Sequence, residues 1–508
     1  MAKLLLKDGL LFDGVGNPGV SCSVLLDGDR IADVGNVVVP AACPVFDCAG
    51  LAIAPGFIDL HSHLDLQVLE DRPDKIRQGV TSEVVGNCGF SPFPHGGDPN
   101  ELQQFASGIL GRRDGWGWSS AAEYLREVET RSTKVHVFSL VGHGSMRIAV
   151  TGNAQQRLSS LELDQMSGFL EDALSAGCAG FSTGLMYAPG SSACPEELQH
   201  LCRIVARTGK LYATHMRSYA EGLLPAVSEQ LDLARATGCR LQISHLQAAG
   251  RRNWGLQQQA LAEIEAARQE GIDVEFDIYP YQCGSTLLTQ WLPAWALDGG
   301  TAGMLERLVT RDTRAKIIHE TEQSRAQLWS DITISGVGKG RNAELVGRTI
   351  EEIALDRGVP AAETALDLLI EEDGVVNVVS FNQSEENLRQ LITHPLCSVI
   401  SDGFYVNGRA HPRLYGTFPE LLGKVTRDEG WMPLAESIHK ITGKPAGRLG
   451  LRDRGLVRPG YFADLTIFDA ATVQSHASYE EPDREPQGII SVIKDGRVVY
   501  GQCARQAL

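Results

Sequence analysis

Three rhythms of apolar and polar positions follow one another along this chain. Near the start, short apolar runs are broken by turn residues: Lys3-Leu4-Leu5-Leu6, then Ser23-Val24-Leu25-Leu26, then Arg30-Ile31-Ala32-Asp33-Val34-Gly35, with Asp27-Gly28-Asp29 between the last two. Such Asp-Gly and Gly-Asp pairs mark hairpins, because glycine adopts the positive φ that tight turns need. The C-terminal stretch repeats this texture in Ala463–Asp469 and Ile490–Tyr500. Exposed strand edges need covering, so the two ends are expected to build one small composite β-sandwich domain from residues 1–55 and 450–508.

Between the ends, apolar runs alternate with helical stretches, the pattern of parallel βα units. The candidate strands are 57–60, 82–85, 135–140, 179–182, 210–213, 240–243, 274–277, 375–379 and 398–400. That is one run too many for a (β/α)₈ TIM barrel over residues 56–449, so one is misplaced or belongs to an insertion. The stretch from 296 to 372 is long for a βα connection and helical in pattern, which predicts an inserted helical lid.

The sequence has 508 residues, with 46 Lys+Arg against 63 Asp+Glu and a net charge of −17. With no basic run, this argues against tracking nucleic-acid phosphates or adhering to anionic lipid. No apolar run reaches the roughly 20 residues of a membrane span, and the first residues turn charged before a secretory apolar core develops. The expected location is therefore cytoplasmic. The 11 cysteines are scattered from Cys22 to Cys503 without the close pairs of a disulfide framework.

In a parallel barrel, functional side chains gather at the C-terminal strand ends. His61 and His63 close the first run, and their spacing of two turns both imidazoles to the same side of a strand. Cys88 in Gly86-Asn87-Cys88-Gly89, His215 in Ala213-Thr214-His215, His245 in Ile243-Ser244-His245 and Asp402 in Ile400-Ser401-Asp402 follow four further runs. Thiolate, imidazole and carboxylate are the usual protein ligands of zinc, so these ends predict one converging metal site.

With these motifs on the page, the chain resembles the amidohydrolase superfamily, and within it the D-aminoacylases (N-acyl-D-amino-acid deacylases). The resemblance rests on Ala54-Pro55-Gly56-Phe57-Ile58-Asp59-Leu60-His61-Ser62-His63, on Gly86-Asn87-Cys88-Gly89, and on Ser401-Asp402-Gly403 followed by His411-Pro412-Arg413-Leu414-Tyr415-Gly416-Thr417-Phe418-Pro419. It implies a zinc-dependent barrel with one site from Cys88, His215 and His245 and a second from His61, His63 and Asp402. The first would be the tightly held one, with Cys88 able to bridge the two.

Amide hydrolysis needs activated water, a stabilised oxyanion and a protonated amine. Asp402, the one carboxylate in the set, is the expected general acid/base. Arg413 is expected to grip the substrate carboxylate bidentately. In Asp277–Thr286, which resembles the family's substrate-binding turn, Tyr279 and Ser285 would hydrogen-bond the carboxylate or oxyanion. His143, which follows the third run, is a further substrate contact. Several relatives carry Lys where this chain has Gln247, so neutral, apolar side chains are favoured over acidic ones, with Arg217, Arg251 and Arg252 near enough to matter.

The expected partner is a small N-acyl amino acid, with no nucleic acid or membrane involved; a homo-oligomer is left open. The alternatives are a deacylase of N-acyl-D-glutamate or aspartate and a cyclic amidase of the dihydropyrimidinase or dihydroorotase type. The cyclic amidases use a carboxylated lysine on strand four, whereas 179–184 contains none.

Overall fold

A computed structural model describes residues 3–38, 43–113, 116–131 and 133–501; Cys503 and the last residues of the C-terminal segment lie outside these ranges. The N-terminal strands are β1 (Lys3–Leu11), β2 (Val20–Asp27), β3 (Arg30–Gly35), β4 (Val45–Asp47) and β5 (Ala52–Pro55). One residue later the chain enters the barrel through β6 (Phe57–Asp59), and β7 (Val80–Val85), β8 (His136–Gly142), β9 (Gly180–Gly184), β10 (Leu211–His215), β11 (Arg240–Ile243) and β12 (Val274–Ile278) follow. An insertion carries β13 (Cys283–Leu287), β14 (Ile332–Val337) and β15 (Val376–Phe381). The chain then returns to the barrel as β16 (Cys397–Val399) and ends in β17 (Leu465–Phe468), β18 (Ile489–Lys494) and β19 (Arg497–Gly501).

The barrel sheet runs β6-β7-β8-β9-β10-β11-β12-β16, eight strands paired in parallel. Covered on both faces, β6, β7, β9, β10 and β12 are buried at every position, the polar residues within them included. The intervening helices start and stop on local signals. Helix Ser160–Ala176 begins in a reciprocal capping box between Ser159 and Glu162 and ends at Gly177, whose φ of 117° suits glycine.

The circle closes between β16 and β6 just past the strand ends. There Asp402 N donates to His61 O at 2.8 Å and His63 N to Gly403 O at 3.0 Å. Beneath this seam the buried Lys75 Nζ lies 2.5 Å from Asp59 Oδ2 and 2.6 Å from Ser401 Oγ. The seam thus fixes the strand-one histidines against Asp402.

Both termini contribute to a separate eight-stranded sheet, in which β5 pairs antiparallel with β17 through Ile53 and Ile467. Its core includes Leu6, Val24, Leu26, Ile53, Leu465 and Ile493.

Two expectations need correction. The surplus run at 375–379 is β15, the middle strand of a three-stranded antiparallel sheet ordered β13-β15-β14. The insertion is therefore not purely helical. It spans β13 to β15 and encloses its own apolar core around Ile317, Ile334, Leu366 and Val378. Its helices include Gly300–Val309, Arg311–Ser324, Ile350–Arg357 and Ala361–Glu371.

Among the described residues, no helix is long and apolar enough to cross a membrane. Ten of the cysteines are described, and Cys88, Cys178, Cys202, Cys239 and Cys397 among them are buried thiols.

Candidate metal centre and substrate cavity

Each candidate ligand sits at a C-terminal strand end, and three of them stand on unusual backbone. Cys88, His245 and Asp402 have φ of 53°, 36° and 49°, the left-handed region that side chains other than glycine seldom occupy. Such strain persists only where the surroundings enforce it, and it clusters at functional sites. The loop holding Cys88 is forced tight by its glycines. A Cβ at Gly86 would lie 2.1 Å from Leu140 O, and one at Gly89 would lie 2.7 Å from Gly184 N. His61 and His63 leave β6 on one side, ring centroids 5.2 Å apart, while the intervening Ser62 turns away to donate to Glu83 Oε2 at 2.8 Å.

The side chains converge. Cys88 Sγ is 3.4 Å from His61 Nε2 and 3.5 Å from His245 Nε2. Asp402 Oδ1 is 3.2 Å from His63 Nε2 and 3.4 Å from His61 Nε2. Two ligand sets result, His61 with Cys88 and His245, and His61 with His63 and Asp402. His61 is common to both candidate sets, and His215 belongs to neither. His215 stands beside them with its ring 4.7 Å from that of His245, and both of its buried ring nitrogens lack a protein hydrogen-bond partner.

The electrostatics fit a cation. Burial pushes the Cys88 thiol up, and His61 offsets this only in part. Burial lowers His215 to about 3 and also lowers His245, which keeps their nitrogen lone pairs free to coordinate. Burial would raise the Asp402 carboxyl, but Arg413, His61 and His63 together hold it well below the usual range. A soft sulfur, imidazoles and one carboxylate match the donor preferences of zinc, and such an ion would satisfy one of the two unpartnered nitrogens of His215.

Asp277, at the end of β12, was not foreseen as a site residue. Its Oδ1 accepts from His245 N at 2.7 Å and lies 3.6 Å from His61 Nδ1, while Oδ2 accepts from Gln242 Nε2 at 2.7 Å. This carboxylate pins the backbone of His245 in its turn and sets a negative charge behind the His61 ring, the position that outer partners of metal ligands occupy. The only signal in the sequence was an acidic residue near the C-terminal end of a strand, and Glu275 in the same strand carries the same signal.

A cavity of about 270 Å³ opens over the cluster, with His63, Cys88, His215, His245 and Asp402 in its wall. Arg413 also lines it, although the side chain is buried. Its Nη1 is 3.0 Å from Asp402 Oδ2, its Nη2 donates to Ser285 O at 3.3 Å, and its guanidinium lies 4.4 Å above the Tyr279 ring. Its Nε has no acceptor. Tyr279 and Ser285 face the same space, Ser285 from β13 of the insertion. Gln247 Nε2 donates to Tyr279 Oη at 3.3 Å, and the buried Gln247 Oε1 is unpartnered.

Four other side chains fall elsewhere. His143 is fully buried, its Nε2 lies 2.7 Å from Glu197 Oε1, and it is not among the residues lining the cavity; the expected substrate contact is instead a link in a buried Arg147–Glu197–His143 chain. Arg217 is engaged by Glu229, Arg251 by Asp331 and Arg252 by Glu221, and none of the three lines the cavity.

A parallel barrel that collects thiol, imidazole and carboxylate donors at the C-terminal strand ends, around a cavity with a buried arginine, defines a metal-dependent hydrolase. The chain belongs to the amidohydrolase family, whose sequence model matches residues 44–326 and 345–500. It is 34% identical to the D-aminoacylase of Alcaligenes xylosoxydans xylosoxydans, over 99% of this chain and 95% of that protein. Identity to the N-acyl-D-glutamate deacylase of the same organism is 34%, covering 98% of this chain and 94% of that one. Among solved structures, the N-acyl-D-glutamate deacylase of Bordetella bronchiseptica, complexed with zinc and a phosphonate mimic of the reaction's tetrahedral intermediate, superposes with a TM-score of 0.85. That pair is 31% identical, with 99% of this chain and 97% of that chain covered.

Proposed function

We propose that this protein hydrolyses the amide bond of N-acyl-D-amino acids with neutral side chains, releasing a carboxylate and the free D-amino acid. Zinc would be held by Cys88, His61, His63, His215, His245 and Asp402, one ion tightly and a second where both ligand sets fill. The observation that carries this reading is the placement of Arg413 against Asp402 in the wall of one cavity, 3.0 Å apart. A guanidinium that grips an α-carboxylate sets the neighbouring amide over the ligand cluster.

A divalent ion held there supplies Lewis acidity and makes water a nucleophile near neutral pH. Asp402 accepts the water proton and returns it to the leaving nitrogen. Arg413 has a second effect. While it pairs with Asp402 it weakens that carboxylate as a base, and a substrate carboxylate arriving on the guanidinium relaxes this hold, so that Asp402 gains proton affinity as the substrate is bound. Tyr279 and Ser285 complete the carboxylate and oxyanion contacts. Preference for the D-enantiomer is carried over from the relatives.

A cyclic amidase is disfavoured because β9, Gly180-Phe181-Ser182-Thr183-Gly184, offers no lysine to carboxylate. Acidic side chains are disfavoured because the wall near Tyr279 presents the carboxamides of Gln247, Asn382 and Gln327, and Arg325 beside them is paired with Glu322 at 2.9 Å. A buried carboxylate wants a paired charge. Installing one by Gln247→Lys should raise kcat/KM for N-acetyl-D-glutamate relative to a neutral N-acetyl-D-amino acid by about tenfold or more.

The reading itself is tested with N-acetyl-D and N-acetyl-L substrates, with and without added zinc. Release of D-amino acid that depends on metal is expected, with the L-series nearly untouched. Equal rates on both enantiomers, or turnover of hydantoins and dihydrouracils alone, would overturn it.

A further inference from the structure

A second chamber, of about 110 Å³, opens off the cavity above the ligand cluster. Met186, Tyr187 and Gln290 line both spaces, so the chamber continues the cavity. Its inner wall is built from three parts of the fold. Phe90 comes from the loop after β7, Phe105 from helix Pro99–Leu110, and Leu287, Leu297, Met304 and Val375 from the insertion. Phe90 stacks on Phe105 at 4.7 Å and meets Tyr187 edge-on at 4.9 Å. No Asp, Glu, Lys, Arg or His is among the described residues that line it. Gln104, Asn153, Thr289 and Thr301 add uncharged polar groups, so the chamber pairs no charge and its aromatic and aliphatic inner wall favours apolar surface.

Arg413 stands at the Asp402 end of the ligand cluster, 3.0 Å from that carboxylate, and Tyr187 stands at the His215 end. Arg413, Tyr279 and Gln247 mark the amino-acid side of the cavity, with Asn382 and Gln327 in the same polar wall. On the other side the Tyr187 ring stands 4.8 Å from the His215 ring, which puts the mouth of the apolar chamber beside the ligands. An amide whose carbonyl lies over the ligands has two halves. Arg413 draws the amino-acid half one way, which leaves the acyl half facing Tyr187.

We infer that this chamber is the acyl subsite and that the preferred substrates carry an unbranched apolar acyl group longer than acetyl. The inference rests on the N-acyl-D-amino-acid reading above. At a molecular share of about 30 Å³, comparable to a water, 110 Å³ takes about four methylene-sized groups beyond the acetyl carbons, which corresponds to hexanoyl.

The test is an acyl series on one neutral D-amino acid, from acetyl through butanoyl and hexanoyl to decanoyl, with the zinc-loaded full-length enzyme. kcat/KM should climb about three- to fourfold per added methylene up to hexanoyl and then level off or fall. Val375→Phe, which fills the chamber, should lower the hexanoyl-to-acetyl ratio by about tenfold or more, whereas Met304→Ala, which enlarges it, should move the optimum to longer chains. A flat response to chain length while the acetyl substrate is cleaved would overturn the acyl subsite and leave the hydrolase reading standing. If Val375→Phe instead penalises long D-side chains under a constant acetyl group, the chamber belongs to the side chain and the assignment fails. If no member of the series is cleaved, the underlying reading fails first.

Discussion

Asp402→Asn should lower kcat by about 100-fold or more without raising KM. The substitution keeps the shape of the side chain and removes its ability to take and return a proton, and a positioned acid/base contributes about 10²–10⁴-fold. The sign expected for KM follows from the neighbours. Arg413 Nη1 lies 3.0 Å from Asp402 Oδ2, so the neutral amide leaves the guanidinium without its buried counter-ion. A substrate carboxylate then becomes the only anion competing for it, and ground-state binding should hold or tighten. The same unpaired guanidinium should destabilise the substrate-free variant, by about 3–5 kcal/mol if the pair behaves as other buried pairs do, and a substrate analogue should restore part of that loss. Thermal unfolding with and without a non-cleavable N-acyl analogue separates the two effects. A variant with wild-type kcat would remove Asp402 from the chemistry, and a large rise in KM with kcat preserved would make it a binding residue only.

The barrel and the convergence of the six candidate ligands were legible in the sequence for a shared reason. Most barrel strands are rich in apolar residues, and a histidine or aspartate at or just past the end of such a strand stands out, as His61, His215 and Asp402 do. The spacing of the candidate ligands was not legible, because it depends on which ring nitrogen each imidazole presents and on backbone turns at Cys88, His245 and Asp402 that composition does not encode. The closeness of His61 to both Cys88 and Asp402 is one such feature. The position of β15 misled for a related reason. As the middle strand of a three-stranded sheet, with β13 and β14 on either side, it is mostly buried, and by pattern alone it matches a barrel strand. β14 escaped notice because the run Ile332–Val337 is interrupted by Thr333, Ser335 and Gly336. His143 shows the limit most directly. A histidine at a strand end looks the same in sequence whether it faces a cavity or a carboxylate, and Glu197, which claims it, lies 54 residues away on helix Pro195–Thr208.

Cys88→Ala should remove tightly bound zinc and at least about 99% of the activity, because the thiol stands 3.4 and 3.5 Å from two imidazoles and is the only sulfur in the ligand sets. An ion that binds only the folded state stabilises it by about 4 kcal/mol when present at a thousand times its dissociation constant. Chelation of the wild-type protein should therefore lower its unfolding temperature by several degrees and zinc should restore it, whereas the alanine variant should barely respond to either. Backbone strain supplies an internal control. At φ 53°, alanine keeps the unfavourable left-handed conformation and glycine does not, so metal-free Cys88→Gly should be more stable than metal-free Cys88→Ala by about 1 kcal/mol while being equally inactive. That pair isolates what the thiol does from what its backbone costs. An alanine variant that retains the wild-type zinc content, turnover and response to chelator would show that the cluster around Cys88 is not the metal centre.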